Sequence, residues 1–552
     1  MKFFPVVQIL LGLFALGVPL LPAQDKPDLL VVHRIRQEAF QNSQVMNHMF
    51  YLTDVHGPRL TNSPGFRAAA AWVVEQANQW GLGEAKLEEW GPYGRGWSTS
   101  HFSAHLVEPQ YAPLVGVPLS WTPGTDGVVS GTPILAPLQS ESDLERYEAE
   151  LEKYFAKYKG KLRDQIILIR KPPRLETQQE AAERRLTSED LTSRAEAPEP
   201  LEPIAIDLEN PTVPTDPDER RRFYAYAPQF VLQKLRSQRE ELLHRLNRFL
   251  VSEGVRLVIY PARRGDGGTI FPPRVGSYKA GVPDPPPSIA LTPEHYNRIA
   301  RLIEKEVPFR IEVEVKAQFQ DETLDSINVV AEIPGGSKSD ELVIIGAHLD
   351  SWAPGTGATD NAAGSAVMME VMRILKALDL QMDRTVRMVL WGGEEQGLLG
   401  SKAYVKQHFA DPETMERKPE HDRVSAYYNV DNGTGKIRGV YLQGNDMVRP
   451  IFQTWLAQFK DLGATTLTIR DTRGTDHLSF DAVGIPGFQF IQDPVEYSTR
   501  THHSNMDVYD RIQPGDLMQA SAIVASFVYH TANREQLLPR KPLPKPWPKG
   551  SE

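Results

Sequence analysis

Two adjacent glutamates, Glu394 and Glu395, stand in "LWGGEEQGLLGS" directly after the apolar run "TVRMVL". On a solvated face neighbouring acids need no function. At the end of a buried strand they set like charges where open α/β sheets place their sites. Three further segments have the same form. "GAHLDSWAPGTGATDNAAGS" supplies His348, Asp350 and Asp360, "YYNVDNG" supplies Asp431, and "STRTHHSNMDVYD" supplies His502 and His503. A lone histidine is more often structural, and a lone aspartate at a helix start is more often an N-cap. Four successive strands that deliver such residues to one edge shift the balance toward a metal site. Two histidines and three carboxylates suit two zinc ions that share a bridging carboxylate, although cobalt or manganese would accept the same donors. Neighbouring side chains at a turn point in different directions. One glutamate can therefore bind metal while the other takes a proton from the attacking water and passes it to a leaving amine.

The elements that must position these residues alternate after Asp321. Strands "ELVIIGA", "TVRMVLW", "VSAYYNV" and "GFQFIQ" are separated by helical patterns that end with "GDLMQASAIVASFVYHTA". This order predicts an α/β fold, with a mixed, mostly parallel sheet covered by helices on both faces. Residues 29–52 read as helix, and "NSPGFRAAAAWVVEQANQWGLG" as a second helix capped by Ser63 with Pro64 in its first turn. "LEEWGPYGRGW" reads as a loop. From about Val128 short strands with turns predict a β-rich insert, residues 128–318, between an N-terminal part (24–127) and the main part (319–536) of the metal-binding domain. Within the insert, 172–228 is dense in Glu, Arg and Pro and reads as an irregular or mobile excursion. The amphipathic helix after it, stopped by Gly254, is assigned to packing. The tail, 537–552, is Pro- and Lys-rich.

The formal net charge of -10 argues against nucleic acid or an anionic membrane as the main partner. The apolar stretch from Pro5 to Leu21 is short for a membrane span, so residues 1–23 read as a cleaved signal peptide and the protein as secreted or periplasmic. There are no cysteines, which excludes disulfides, thiol nucleophiles and thiolate metal sites.

"HLDSWAPGTGATDNAAG", "WGGEEQGLLGS", "NVDNG" and "HHSNMD" resemble, in order and spacing, the di-zinc exopeptidase family that includes bacterial leucyl-type aminopeptidases and plasma glutamate carboxypeptidase. The resemblance covers roughly residues 30–125 and 320–535. It implies that His348 and Asp431 hold one zinc, that Glu395 and His503 hold the other, and that Asp360 bridges them. Glu394 is then the general base and Asp350 orients the site from behind. His503 is preferred to His502 because "HSNMD" matches the family's histidine, Ser or Thr, and later acid. The family also commonly has a cis peptide after the bridging aspartate, here Asp360–Asn361. "YKGKLRDQIILI" gives the insert a likeness to a protease-associated domain, a module that lies beside the active site in relatives.

A peptide is the expected substrate, and an aminopeptidase is preferred to a carboxypeptidase or dipeptidase. The latter two need Arg or Lys for a carboxylate. Arg473 and Arg500 are near the ligands in sequence and either could serve, while Tyr497 could stabilise an oxyanion. A metal-free receptor and a cyclising acyltransferase on the same fold are the alternatives from other classes.

Overall fold

A computed structural model describes residues 25–139, 143–175, 183–198, 201–433 and 435–546. The expected signal segment lies outside them. Eight strands form the main sheet: β1 (Gly83–Trp90), β2 (Ser326–Ile333), β3 (Lys338–His348), β4 (Arg384–Trp391), β5 (Val424–Asn429), β6 (Ile437–Tyr441), β7 (Thr466–Thr468) and β8 (Gly487–Gln492). Their spatial order is β1-β2-β4-β3-β5-β8-β6-β7. The central run β4-β3-β5-β8 is parallel throughout; β1 and β2 pair antiparallel on one side of it, and on the other β6 pairs antiparallel with β8 but parallel with β7.

Period-two alternation explains why the central strands read as continuous apolar runs. In β3, Val343 and Ile345 pack on the face covered by helices Ala363–Ala377 and Pro514–Asn533. Leu342 and Ile344 point to the other face and meet Tyr404 and Val405 of helix Leu399–His408. The sheet is thus buried on both sides, as its sequence requires. β1 runs into the segment expected to be a loop and takes its first four residues, 87–90. Its side chains alternate between exposed and half-buried because it is an edge strand. Residues 29–52 form two helices, Leu29–Gln41 and Val45–Phe50, with a break between them. The Ser63 hydroxyl caps helix Pro64–Gln79 by accepting from Phe66 N at 3.2 Å. None of the described helices is long and apolar enough to cross a membrane.

The inserted segment is less purely β than its strands suggest. A five-stranded sheet, Gly116–Pro118, Ser288–Leu291, Leu257–Pro261, Ile166–Leu168 and Ile134–Leu135 in spatial order, is parallel except for its first pair. Helices Leu144–Tyr158 and Gln229–Ser252 pack on one face of it, and Pro293–Glu304 contributes to the core on the other. A four-stranded antiparallel sheet pairs Arg310–Gln320 with Gly96–Glu108, which lies before Val128. The charged excursion carries helices Ser188–Ala195 and Pro217–Tyr226.

A buried arginine joins the start of the chain to the loop that follows β3. Arg59 is fully buried, and donates to the carbonyls of Leu349 at 2.7 Å, Leu52 at 2.6 Å, Thr356 at 2.8 Å and Gly357 at 2.9 Å. Burial draws its pKa down to about 10, with Asp507, Asp350 and Asp360 opposing that loss, so it stays charged at neutral pH. Arg59→Leu is expected to reduce unfolding free energy by about 3 kcal/mol or more, because each orphaned buried carbonyl costs roughly 1–3 kcal/mol. A urea midpoint equal to that of the unaltered protein would show that other contacts hold the loop.

Candidate metal centre

The parallel run β4-β3-β5-β8 brings four C-terminal strand ends to one edge of the sheet. β3 ends at His348, and its loop returns through Asp360 into helix Ala363–Ala377. β4 ends at Trp391, three residues before Glu394 and Glu395. β5 leads to Asp431, and β8 leads through the turn at Tyr497–Thr501 to His502 and His503. A buried hydrogen-bond chain ties these strands together just below the edge. Trp391 Nε1 donates to the Tyr427 hydroxyl at 2.8 Å, which donates to Asn429 Oδ1 at 2.6 Å, and the Asn429 amide donates to Gln489 Oε1 at 2.8 Å.

Asp360 lies between two half-sites. Its Oδ1 is 3.1 Å from His348 Nε2, and its Oδ2 is 3.2 Å from His503 Nε2. On the first side Asp431 Oδ1 approaches His348 Nε2 at 3.7 Å. On the second, Glu395 Oε2 is 3.0 Å from His503 Nε2. His502 is also near, at 3.8 Å from Asp360 Oδ2, and its ring lies 3.7 Å from that of His503. Donor atoms of His348, Asp360 and Asp431 lie within 4.8 Å of one another, as do those of Asp360, His502 and His503.

The surrounding residues hold this arrangement from behind. Asp350 Oδ1 accepts from Glu394 N at 3.2 Å, while Oδ2 accepts from Glu395 N at 3.4 Å and from the Thr61 hydroxyl at 2.8 Å. The Asp350 carbonyl lies 2.9 Å from His348 Nδ1. Asp507, the acid of "HSNMD", accepts from Thr359 N at 2.5 Å and from Asp360 N at 3.2 Å. The Asp360–Asn361 peptide is cis. Asn361 donates to Val430 O at 2.9 Å and accepts from Gly364 N at 2.8 Å. A Cβ on Gly364 would lie 2.2 Å from Val430 O, so only glycine lets the helix start this close to β5.

Charge in the centre is unbalanced. Asp360, Glu394, Glu395, Asp431 and Asp476 are all buried. Burial, with Asp360 adding to it, pushes the Glu395 carboxyl up to about 7, and burial likewise pushes Asp476 to about 7. Glu394 is driven well above the carboxylate range by burial, with Asp431 and Asp476 adding to it against His348. For His503, burial works downward, but Glu395 and Asp360 overcome it and raise the imidazole to about 10. Glu395 Oε1 and Asp360 Oδ2 are buried without a hydrogen-bond partner among the described residues. A cluster of carboxylates and imidazoles that hold back or recruit protons, with lone pairs left over, has the donor set of a divalent-cation site.

Some expected residues stay outside. Arg473 donates to the carbonyls of Tyr224 at 2.9 Å and Ala225 at 3.1 Å, and Arg500 pairs with Glu496 at 3.2 Å; neither lines the cleft. Tyr497 does, with its ring 4.7 Å from that of His502. The cleft measures about 1580 Å³ including its open mouth. Its far wall comes from helix Gln229–Ser252, through Leu232, Gln233, Arg236, Ser237 and Glu240, and from Arg274, Tyr278 and Lys279. That helix therefore does more than the packing expected of it. Trp352, whose Nε1 donates to Glu395 Oε2 at 2.6 Å, and Asp476 were also not singled out by sequence. Trp352 stood inside a quoted motif, whereas Arg236 and Arg274 are far from every ligand along the chain and give no spacing signal.

The chain resembles known peptidases across the strands that carry these residues. Residues 328–528 match the profile of peptidase family M28. Carboxypeptidase Q of Rattus norvegicus is 32% identical over 263 residues, covering 48% of this chain and 53% of that protein. Aminopeptidase YwaD of Bacillus subtilis (strain 168) is 30% identical over 209 residues, or 37% of this chain and 44% of the relative. The chain thus spans about half the length of the curated relatives it matches. The crystal structure of a Peptidase M28 precursor from Shewanella amazonensis SB2B superposes with a TM-score of 0.60 at 23% identity, covering 94% of this chain and 98% of that one, which is a likeness of fold. Over residues 328–528, therefore, the chain is similar to peptidase family M28.

Proposed function

We propose that the protein is a two-zinc exopeptidase that hydrolyses the bond next to a terminal residue of a peptide, with the amino end preferred. The observation that carries this reading is the single carboxylate of Asp360 facing one imidazole with each oxygen. In this reading His348 and Asp431 hold one ion, Glu395 and His503 the other, and Asp360 both. Zinc bound there supplies Lewis acidity, which polarises a carbonyl and makes water acidic near neutral pH.

The chain's own groups do the rest. Glu394 lines the cleft, and its backbone N–H is pinned to Asp350 Oδ1 at 3.2 Å; in this reading its carboxyl stands beside the donor set and binds neither ion. It takes a proton from the attacking water and returns it to the leaving amine. Burial, then Asp360 and Asp431, keep the Tyr497 phenol well above its ordinary pKa. It therefore remains a hydroxyl donor for the oxygen that gains charge. The preference for the amino end is supported by the acids on the catalytic edge, which suit an ammonium group, and by Arg473 and Arg500 being engaged elsewhere. Likeness to Carboxypeptidase Q supports trimming of the carboxyl end as the second reading. Secretion or a periplasmic location belongs to the same proposal, supported by the apolar segment 5–21.

Glu394→Gln is expected to lower kcat by about 10²–10⁴-fold, the usual contribution of a positioned acid–base group, with bound zinc unchanged. Near-normal turnover on a panel of free, N-blocked and C-blocked peptides would remove Glu394 from the reaction, and the same panel in the unaltered protein tells which end is cut. A chelator is expected to abolish hydrolysis and added zinc to restore it. By metal analysis Asp360→Asn should lose about two zinc ions per chain and Asp431→Asn about one, since the first removes a ligand from both half-sites. Equal losses in the two variants would argue against a shared carboxylate.

A further inference from the structure

Across the cleft from the acids stand arginines that nothing in the sequence connected with them. Arg236, on helix Gln229–Ser252, and Arg274 line both the main cleft and a more apolar cavity of about 950 Å³ beside it. Arg263 lines the second cavity. All three residues keep part of their surface in contact with solvent. Arg274 lies with its guanidinium carbon 4.3 Å from the centre of the Trp352 ring, and its Nη2 donates to the Glu395 carbonyl at 3.4 Å. These contacts place it next to the Glu395–His503 half of the centre.

Among the described residues, none of the three forms an ion pair with a carboxylate. Glu240, the acid one turn along from Arg236, is taken by Lys279 at 2.8 Å. The arginines act on one another, although Arg274 also has Glu395, Glu394 and Glu240 near enough to favour its charge. Arg263 is drawn below its ordinary pKa by burial and then by Arg274 and Arg264. Like charges gathered with no carboxylate ion-paired to them oppose their own arrangement, and an anion between them relieves it. The planar guanidinium is the side chain best fitted to grip a carboxylate at two points, and stacking on an indole fixes its plane.

We propose that Arg236, Arg263 and Arg274 form an anion subsite that holds a carboxylate of the peptide substrate beside the Glu395–His503 half of the metal centre. This rests on the exopeptidase reading. Since all three residues belong to the inserted segment, the insert selects the peptide while the sheet edge cleaves it. The carboxylate is either the C-terminus of a short peptide or an acidic side chain, and the two sources are chemically alike at the subsite.

The experiment uses the full-length, zinc-loaded protein with three substrates: Leu-Leu as free acid, Leu-Leu amide and Leu-Glu amide. Uncleavable hydroxyethylene isosteres of the same three are used for calorimetric binding. The free acid, the Glu amide, or both are expected to exceed the neutral amide by about tenfold or more in kcat/KM and in affinity, as for hydrogen bonds to a charged group. A preference for the free acid alone identifies the C-terminus, and a preference for the Glu amide alone identifies the side chain. In Arg236→Gln and Arg274→Gln the preference should fall toward one, mainly through KM, and Arg236→Lys should keep part of it. Equal treatment of all three ligands by the unaltered protein, or a preference that survives both Gln variants, overturns the subsite. If none of the three is hydrolysed while the isosteres still bind with the carboxylate preference, the subsite stands and the exopeptidase reading falls.

Discussion

A carboxylate that gives one oxygen to each of two imidazoles has little freedom, and the geometry of the whole sheet edge follows from placing Asp360 in that position. The segment around it is built to a close tolerance. Gly357 turns through a left-handed conformation at φ +67°, where a Cβ would lie 2.3 Å from that of Ser351. Asp507 holds the N–H groups of Thr359 and Asp360, and Asn361 spans to β5. Each contact is a buried polar group finding its partner, so loss of one leaves another unsatisfied. The shared aspartate also concentrates negative charge. A buried anion surrounded by further buried acids is costly without positive charge, which is why a cation site and a crowd of carboxylates occur together.

Parallel strands solve the convergence. Four neighbouring strands running the same way must end on the same side, and each then needs only a short loop to deliver one or two ligands. The hydrogen bonds from Trp391 through Tyr427 and Asn429 to Gln489 keep those ends in register, and Gln489 also donates to the carbonyl of Asp431. Arg59 supplies the matching restraint from the N-terminal part of the chain, reaching the carbonyls on either side of the Asp350 loop.

The charge-dense excursion is held by the same kind of bonding, directed outward. Arg185 pairs with Asp493 at 3.2 Å and Asp516 at 2.6 Å, and Glu183 accepts from Ser498 N at 2.9 Å, in the turn that precedes the two histidines. Arg470 and Arg473 donate back to carbonyls of its two helices. The segment gathers only a small apolar cluster, Phe223, Ala227 and Val231 with Ile204, Ile206 and Val213 packed against it, and hydrogen bonds tie it to the lobe beneath. Its composition pointed to little apolar burial, but not to the surface that would receive it.

How much was legible depended on range. Local patterns carried the Ser63 cap, the four central strands, the helices between them and the residue types at each strand end, because alternation, capping and apolar runs act over a few residues. β6 and β7, at one end of the sheet, were missed because they are short and lack a long apolar run. β1 was missed because half its residues face water. The sequence by itself determined which residues carry donor atoms, their order along the chain, and the alternation that makes the sheet parallel. Only the tertiary structure decided that Asp360 faces both histidines, that Asp350 and Asp507 hold backbone N–H groups, and that Arg236 and Arg274 of the insert line the same cleft as Glu395. These relations join residues far apart along the chain, and their distances are set by how separate layers pack, which no local pattern encodes.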